Sequence, residues 1–421
     1  MSVSIDKLSA LATTPPCPCG SGLSAVHCCD FDTSVRTPVE DFRPLIAVAE
    51  RAVAAWRSGD RDAAERLCRD VLERAPDRPG VLRVLCEICH RPVELLEKGR
   101  LLDRLGRYDD AWANFMAGKE RARELSGNHY PQAEMSAFAE RLKRFFTRER
   151  LALLPRAGRR ADVPQPIFVV GFPRSGTTLL EQTLSASPAI CAGDELPLIH
   201  DLVGIMPRLL DSPLSYPEAL SELWMADQRE GLDNLRDYYL QKVRQMGVLR
   251  DGARWFTDKM PLNEVHLGLI ALTFPQAPIV HVVRHPLDVM VSAMSNLFTH
   301  GRFCASSLEA AAKHLILVSD LVEHYRREID LRYLPARYED VVDDQEATIR
   351  RVFDFVGAPF DPDTLHFENN TRYARTASYA QVTEKLYDRS RFRYRNHHSH
   401  LKNVIPMLRP LIERMAYTVQ Y

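Results

Sequence analysis

The stretch Pro166-Ile-Phe-Val-Val-Gly-Phe-Pro-Arg-Ser-Gly-Thr-Thr-Leu-Leu-Glu-Gln-Thr-Leu184 decides the fold. Pro166 to Val170 is short and apolar, the pattern of a strand buried on both faces of a parallel sheet. Gly171 to Gly176 is a glycine-bounded turn. From Thr177 onward, Leu179, Leu180, Thr183 and Leu184 recur at helical spacing. Strand, glycine loop and helix N-terminus make a phosphate site, because the first-turn N–H groups and the helix dipole both favour an anion. The loop is close to a Walker A motif: Gly171 and Gly176 have the right separation, and Thr178 stands where the Mg²⁺-binding hydroxyl would. Thr177 occupies the Lys position, however, which disfavours hydrolysis of a nucleoside triphosphate. Arg174 supplies a cation instead, with a planar fork that can grip two oxygens of one anionic group. The plain alternative is an ordinary strand-to-helix turn with glycines for packing. Arg-Ser-Gly-Thr-Thr in that position is far more specific than glycines alone.

Pro173-Arg-Ser-Gly-Thr-Thr178 resembles the 5′-phosphosulfate loop of sulfotransferases that use 3′-phosphoadenosine 5′-phosphosulfate (PAPS). With Arg in the loop it is similar to tyrosylprotein sulfotransferases and to bacterial sulfotransferases with tetratricopeptide repeats. The resemblance requires a second motif further on. Ile279-Val-His-Val-Val-Arg-His-Pro-Leu-Asp-Val-Met-Val-Ser292 resembles the family's 3′-phosphate site. The residues agree: Ile279 to Val283 is another buried strand, Arg284 emerges at its carboxyl end, and Ser292 lies on the following helix. Ligands in parallel α/β sheets bind outside the carboxyl ends of strands. The resemblance therefore implies that Arg174, Ser175, Gly176, Thr177 and Thr178 hold the 5′ side of PAPS, and Arg284 and Ser292 its 3′-phosphate.

Between the two motifs lies Ser187-Pro-Ala-Ile-Cys-Ala-Gly-Asp-Glu-Leu-Pro-Leu198. In the enzymes it resembles, a Gly-Glu-like stretch here supplies the catalytic base, and Glu195 matches it, with Asp194 as neighbour. An acceptor hydroxyl must lose its proton as it attacks sulfur, so a base is needed. Without the flanking motifs, Glu195 would read as a solvated loop carboxylate or a helix cap. Arg254-Trp-Phe-Thr-Asp-Lys-Met-Pro261 reads as a short strand into a loop. Lys259 resembles the family's Lys that contacts the sulfonate and the bridging oxygen, where charge develops; the alternative is an exposed surface Lys. Residues 200–250 read as helical. Residues 306–330 read as a helix, 332–340 as a strand and turn, and 345–357 as an amphipathic helix ending at Gly357. The tail through Tyr387–Asn396 is basic with interleaved aromatics, which alone would suggest nucleic-acid binding. The resemblance implies a tail that closes over the nucleotide, with Ser378 and Arg395 at matching positions. Thr383-Glu-Lys385 stands where the usual bacterial form has Arg-Gln-Pro, and Lys385 offers a substitute cation.

Composition bounds the rest. The 421 residues are 45% hydrophobic and 26% charged, with a net charge of −1, values of a soluble globular protein. No global field attracts nucleic acid or membrane, and no apolar run approaches the ~20 residues of a membrane span. The N-terminus lacks the apolar core of a signal peptide, so a cytoplasmic location is expected. Nine cysteines, an odd count with four clustered, point to a metal site plus free thiols rather than a disulfide scaffold. The cluster is Pro16-Cys-Pro-Cys-Gly-Ser-Gly-Leu-Ser-Ala-Val-His-Cys-Cys-Asp30. Cys17, Cys19, Cys28 and Cys29 can close a tetrahedral structural zinc site on a hairpin, an arrangement that resembles the SEC-C module. A redox pair is the alternative, and His27 reads as a bystander. From Phe42 to about Lys143 the chain reads as helical. Gly59 with Ala64, and Gly106 with Ala111, match the same half of a tetratricopeptide-like unit, although they stand further apart than a strict ~34-residue tandem. Either a helix near Val81–Cys89 is inserted or the intervening unit has drifted. Residues 126–165 read as a helical connector striped by Phe138, Leu142, Phe145 and Phe146. Its Pro/Gly/Arg-rich end marks a domain boundary.

The expected architecture is a zinc motif over 16–30, a helical tetratricopeptide-like domain over 42–150, and an α/β sulfotransferase domain over 163–421, with a P-loop-like parallel sheet flanked by helices. The expected activity is transfer of a sulfonate from PAPS to an acceptor hydroxyl. A peptide or protein tyrosine is the first choice; sugars, lipids and small molecules are alternatives. Two rivals stand beside it. A P-loop kinase or nucleotide hydrolase is disfavoured by Thr177 and by the lack of an acidic residue closing Ile279–Val283. An inactive adaptor built on the zinc motif and the helices is disfavoured by Arg174, Glu195, Lys259 and Arg284 occurring together. The helical domain is expected either to bind a protein partner or only to buttress the catalytic domain, and no membrane or nucleic-acid partner is expected.

Overall fold

The computed structural model describes residues 38–75, 78, 80–81, 84–85, 92–127, 129–160, 162–224, 230–298, 300–367, 386 and 388–420. The Cys17, Cys19, Cys28 and Cys29 cluster with His27, most of the expected Val81–Cys89 helix, Ser378 and Lys385 lie outside them. The described residues fall into two compact units, one up to His129 with Met294–Asn296, the other Tyr130–Ala293 with Leu297 onward.

The first unit contains two helical hairpins, α1 (Ile46–Arg57) with α2 (Arg61–Arg74) and α3 (Pro92–Arg104) with α4 (Tyr108–Ser126). Both turn on a glycine in the left-handed region, Gly59 at φ 86° and Gly106 at φ 75°. Asp60 caps α2 by accepting from the Ala63 amide. Small residues let each pair close: Ala64 and Ala111 have no exposed surface, and a Cβ on Gly99 would lie 2.5 Å from the Phe115 ring.

The second unit starts with α5 (Gln132–Phe145) and then builds one five-stranded sheet. Its strands are β1 (Gln165–Val170), β2 (Ile190–Cys191), β3 (Trp255–Asp258), β4 (Ile279–Val283) and β5 (Tyr333–Arg337). They are all parallel, in the spatial order β2-β3-β1-β4-β5. The strand–loop–helix reading of the opening stretch is borne out, with α6 (Thr177–Ser185) following β1. Pro166 is tolerated in a central strand for a local reason. The Gln165 amide donates to Arg254 on the β3 side, and β4 pairs only from Phe168 onward, so the missing N–H of Pro166 faces the side not yet paired. Pro335 sits on an edge strand.

Alternate β1 residues bury on opposite faces, as a sheet covered on both sides requires. Phe168 and Val170 join Phe256 and Ile279 in a core with α5, α7 (Leu198–Leu209), α8 (Gly231–Gln245), α9 (Leu267–Thr273) and α11 (Leu308–Glu328). Ile167 and Val169 join Val280, Val282 and Ala336 in a second core with α6 and α12 (Gln345–Val356). Helix α10 (Pro286–Met294) leaves the carboxyl end of β4, and α13 (Ile405–Arg414) is the last long element. Cys68 and Cys191 are buried free thiols, and Cys304 is buried with its thiol donating to the Gly301 carbonyl. Among the described residues no helix is long and apolar enough to cross a membrane, and no cluster of metal-ligating side chains occurs.

Candidate active site

Because the strands are parallel, the loops after β1, β2, β3 and β4 all leave from one edge of the sheet, and each carries a residue singled out from sequence. The loop after β1 is held open by close packing. A Cβ on Gly171 would lie 2.3 Å from the Val282 carbonyl oxygen, and one on Gly176 would lie 2.8 Å from the Tyr338 ring. Both have positive φ, and so does Arg174, at 78°. For a side chain with a Cβ that conformation costs roughly 1–3 kcal/mol and persists only where surroundings enforce it. Here it turns the guanidinium inward: Arg174 Nε donates to Ser292 Oγ at 3.1 Å. Ser175, Thr177 and Thr178 are buried at the start of α6, where first-turn amides have no intrahelical partner.

Arg284 closes the same group. Its Nη1 donates to the Arg174 carbonyl at 3.2 Å, its Nη2 donates to the Ser390 carbonyl, and its guanidinium lies 4.5 Å from the centre of the Tyr338 ring. Asp288, one turn along α10, is 4.0 Å from Arg284. It accepts from the Phe392 and Tyr394 amides at 2.6 and 2.9 Å, tying the tail to this helix. Burial raises the Asp288 carboxyl above the ordinary carboxylate value, against the opposing pull of Arg284 and the two amides. Among the described residues, the buried Ser175 Oγ and Arg284 Nε have no hydrogen-bond partner. Both are donors, which fits a phosphate or sulfonate oxygen. Arg395 is exposed and lies over the Phe392 ring at 4.8 Å.

The second group stands on β2 and β3. Glu195 Oε1 is 2.9 Å from Lys259 Nζ. Lys259 has no exposed surface, so it is not a surface Lys. Nor is Glu195 a helix cap: α7 has Pro197 at its cap and no side-chain cap bond. The Lys259 amide donates to the Asp194 carbonyl at 3.0 Å. Asp194 is left-handed at φ 61°, and a Cβ on Gly193 would lie 2.0 Å from the Thr257 carbonyl oxygen. Asp258 is wholly buried and accepts from Tyr239 Oη at 2.7 Å and Asn263 Nδ2 at 3.1 Å. Burial above all, with the Glu181 charge adding, pushes its carboxyl up to about 7.

Sequence reasoning missed several residues in this site. His300, about half exposed, has Nε2 3.5 Å from Glu195 Oε2. Asp288 lay inside the second motif at helical i, i+4 spacing from Arg284, a signal that was there to use. Ser390 contributes a backbone carbonyl, which no side-chain pattern announces.

The model described as the Sulfotransferase family matches residues 166–362. The chain is 30% identical over 316 residues to an uncharacterized protein of Aquifex aeolicus, covering 73% of this chain and 40% of that one. It is 26% identical over 233 residues to protein-tyrosine sulfotransferase 1 of Danio rerio, covering 52% of this chain and 61% of that protein. This chain therefore spans about half the length of those two relatives. Among solved structures, the sulfotransferase domain of the Synechococcus PCC 7002 olefin synthase aligns at 23% identity with a TM-score of 0.42, over 62% of this chain and 99% of that one.

Proposed function

We propose that residues 166–362, which the Sulfotransferase family model matches, form a sulfotransferase domain, and that the chain transfers a sulfonate from PAPS to an acceptor hydroxyl. The observation that carries the reading is the Glu195–Lys259 pair set one strand from the Arg174–Ser292–Arg284 group, at the carboxyl ends of β1 to β4. PAPS supplies an activated sulfonate with the 5′-phosphate as leaving group. Arg174, Ser175, Gly176 and the α6 amides at Thr177 and Thr178 hold the 5′ side. Arg284 and Ser292, with Ser378 and Arg395 of the tail, hold the 3′-phosphate. Glu195 accepts the proton of the acceptor hydroxyl. Protonation removes the charge that pairs with Lys259, which leaves the ammonium available to the oxygen where negative charge grows.

The acceptor is a peptide or protein tyrosine, a choice supported by likeness to protein-tyrosine sulfotransferase 1 of Danio rerio over 52% of this chain. The helical hairpins before His129 present a protein-binding surface. Cys17, Cys19, Cys28 and Cys29 hold a structural Zn²⁺. Buried free thiols at Cys68 and Cys191 suit a reducing, cytoplasmic setting. The test is incubation of the purified chain with isotopically labelled PAPS and separate tyrosine-peptide, sugar, hydroxylated-lipid and small-alcohol acceptors. Label on the tyrosine peptide is expected. Label on another acceptor alone would replace the acceptor assignment, and no label on any would defeat the activity.

A further inference from the structure

Glu181 lies on α6, one turn into the helix whose N-terminus faces the Arg174 loop, and it has no exposed surface. A buried carboxylate is costly unless hydrogen bonds satisfy it. Glu181 Oε1 accepts from Thr257 Oγ1 at 2.7 Å and from the Asp194 amide at 3.0 Å. Thr257 Oγ1 in turn accepts from the Gly193 amide at 3.0 Å. Two successive amides of the segment that carries Glu195 therefore hang on one carboxylate and one hydroxyl. One of them belongs to Asp194, whose left-handed backbone needs enforcement.

We infer that Glu181 is a positioning residue: it fixes the Gly193–Glu195 segment to α6, so that the proton acceptor and the donor loop move as one piece. The inference rests on the reading of Glu195 as the base. Glu181 touches neither substrate. It acts through backbone amides, and the task needs an acceptor oxygen rather than a charge. A misplacement of about 1 Å at a reacting group can cost roughly a hundredfold in rate, so loss of this anchor falls on the chemical step and not on donor binding.

The experiment uses the full chain as wild type, Glu181→Ala, Glu181→Gln and Thr257→Val, each also in a Glu195→Gln background. Amide hydrogen exchange over residues 190–196 reads the anchor directly and needs no activity. Glu181→Ala is expected to speed exchange there by roughly tenfold or more and to lower kcat by roughly 10- to 100-fold, with the donor KM nearly unchanged. Glu181→Gln, whose amide oxygen can accept both bonds, is expected to restore both readouts. In the Glu195→Gln background, Glu181→Ala should cost almost nothing further. Thr257→Val reports on the same anchor if Glu181→Ala does not fold. Unchanged exchange in Glu181→Ala and Thr257→Val would overturn the inference. So would faster exchange with undiminished kcat, or a Gln variant as impaired as Ala. A wild type that transfers no sulfonate defeats the functional reading alone, and the exchange data still decide whether Glu181 holds the segment.

Discussion

Changing Glu195 separates proton transfer from architecture, because its carboxylate also neutralises a buried cation. Lys259 has no exposed surface and lies 2.9 Å from Glu195 Oε1. Removing one partner of a buried pair costs about 3–5 kcal/mol. The Glu195 side chain keeps 14% of its surface exposed, so water can reach the gap left by Glu195→Ala and the lower end, about 3 kcal/mol, applies. For a unit of this size each kcal/mol is worth about 1.6 °C, giving a fall of about 5 °C in melting temperature. Glu195→Gln keeps an oxygen on Lys259 and should lose clearly less. Neither variant can take up the proton, so both should lose ~10²–10⁴ in turnover, while the product nucleotide binds Glu195→Gln as it binds wild type. Initial rates with labelled PAPS, thermal melting and calorimetry on the same preparations give all three quantities. A Gln variant with wild-type turnover would place the base elsewhere, with Asp194 as the next candidate. An Ala variant as stable as wild type would mean that the ion pair carries no weight.

Three further outcomes are expected. The 3′-phosphorylated product of PAPS should bind far more tightly than AMP, and Arg284→Ala should erase ~1.5–3 kcal/mol of that preference by calorimetry; equal affinities on wild type would remove the assignment. Metal analysis should find one Zn²⁺ per chain, lost with Cys17→Ser or Cys28→Ser, and since structural zinc contributes ~10–16 kcal/mol to such motifs, its loss should unfold residues 16–30 and leave sulfonate transfer intact; a chelator that stops transfer directly would contradict this. Burial holds the Asp258 carboxyl at about 7 in the folded chain against an ordinary value of 3.8, so between those pH values the folded chain keeps a proton that the unfolded chain has shed. Its stabilising effect is full below pH 4 and is lost as pH rises to about 7, by ~1.4 kcal/mol per unit. Asp258→Asn should flatten that slope in denaturant titrations, and parallel slopes in the two proteins would refute it.

The sheet was legible where its signals are local. Val-Ile-rich runs bounded by Gly and Pro marked β1 and β4, and the helix after Gly176 followed from spacing alone. Strand β2 was not foreseen: two residues, Ile190 and Cys191, carry no periodicity, and the strand exists only because β3 offers them a partner. The Glu195–Lys259 pairing joins residues far apart in sequence, and only the resemblance placed them in one site. Glu181 was in plain view in the opening stretch, a carboxylate among apolar helix positions. Its meaning depends on Thr257 and Asp194, which only the folded sheet brings to it. His300 lies beyond the end of α10 and had no motif around it.

Along the edge of the sheet, Glu195, Lys259, Arg174 and Arg284 follow β2, β3, β1 and β4, an order in space that the chain itself never takes. Neighbouring strands stand about 4.8 Å apart, so the edge is a graduated scale. Glu195, the proposed proton acceptor, marks one end, and Arg284, with β5 and Tyr338 beyond it, marks the other. Two reactants laid along such a scale meet different stretches of chain. On the proposed function, substitutions in the helices that follow β2 can retune which hydroxyl is accepted, whereas a change in the Gly193–Glu195 segment itself would be felt at the donor loop through Glu181.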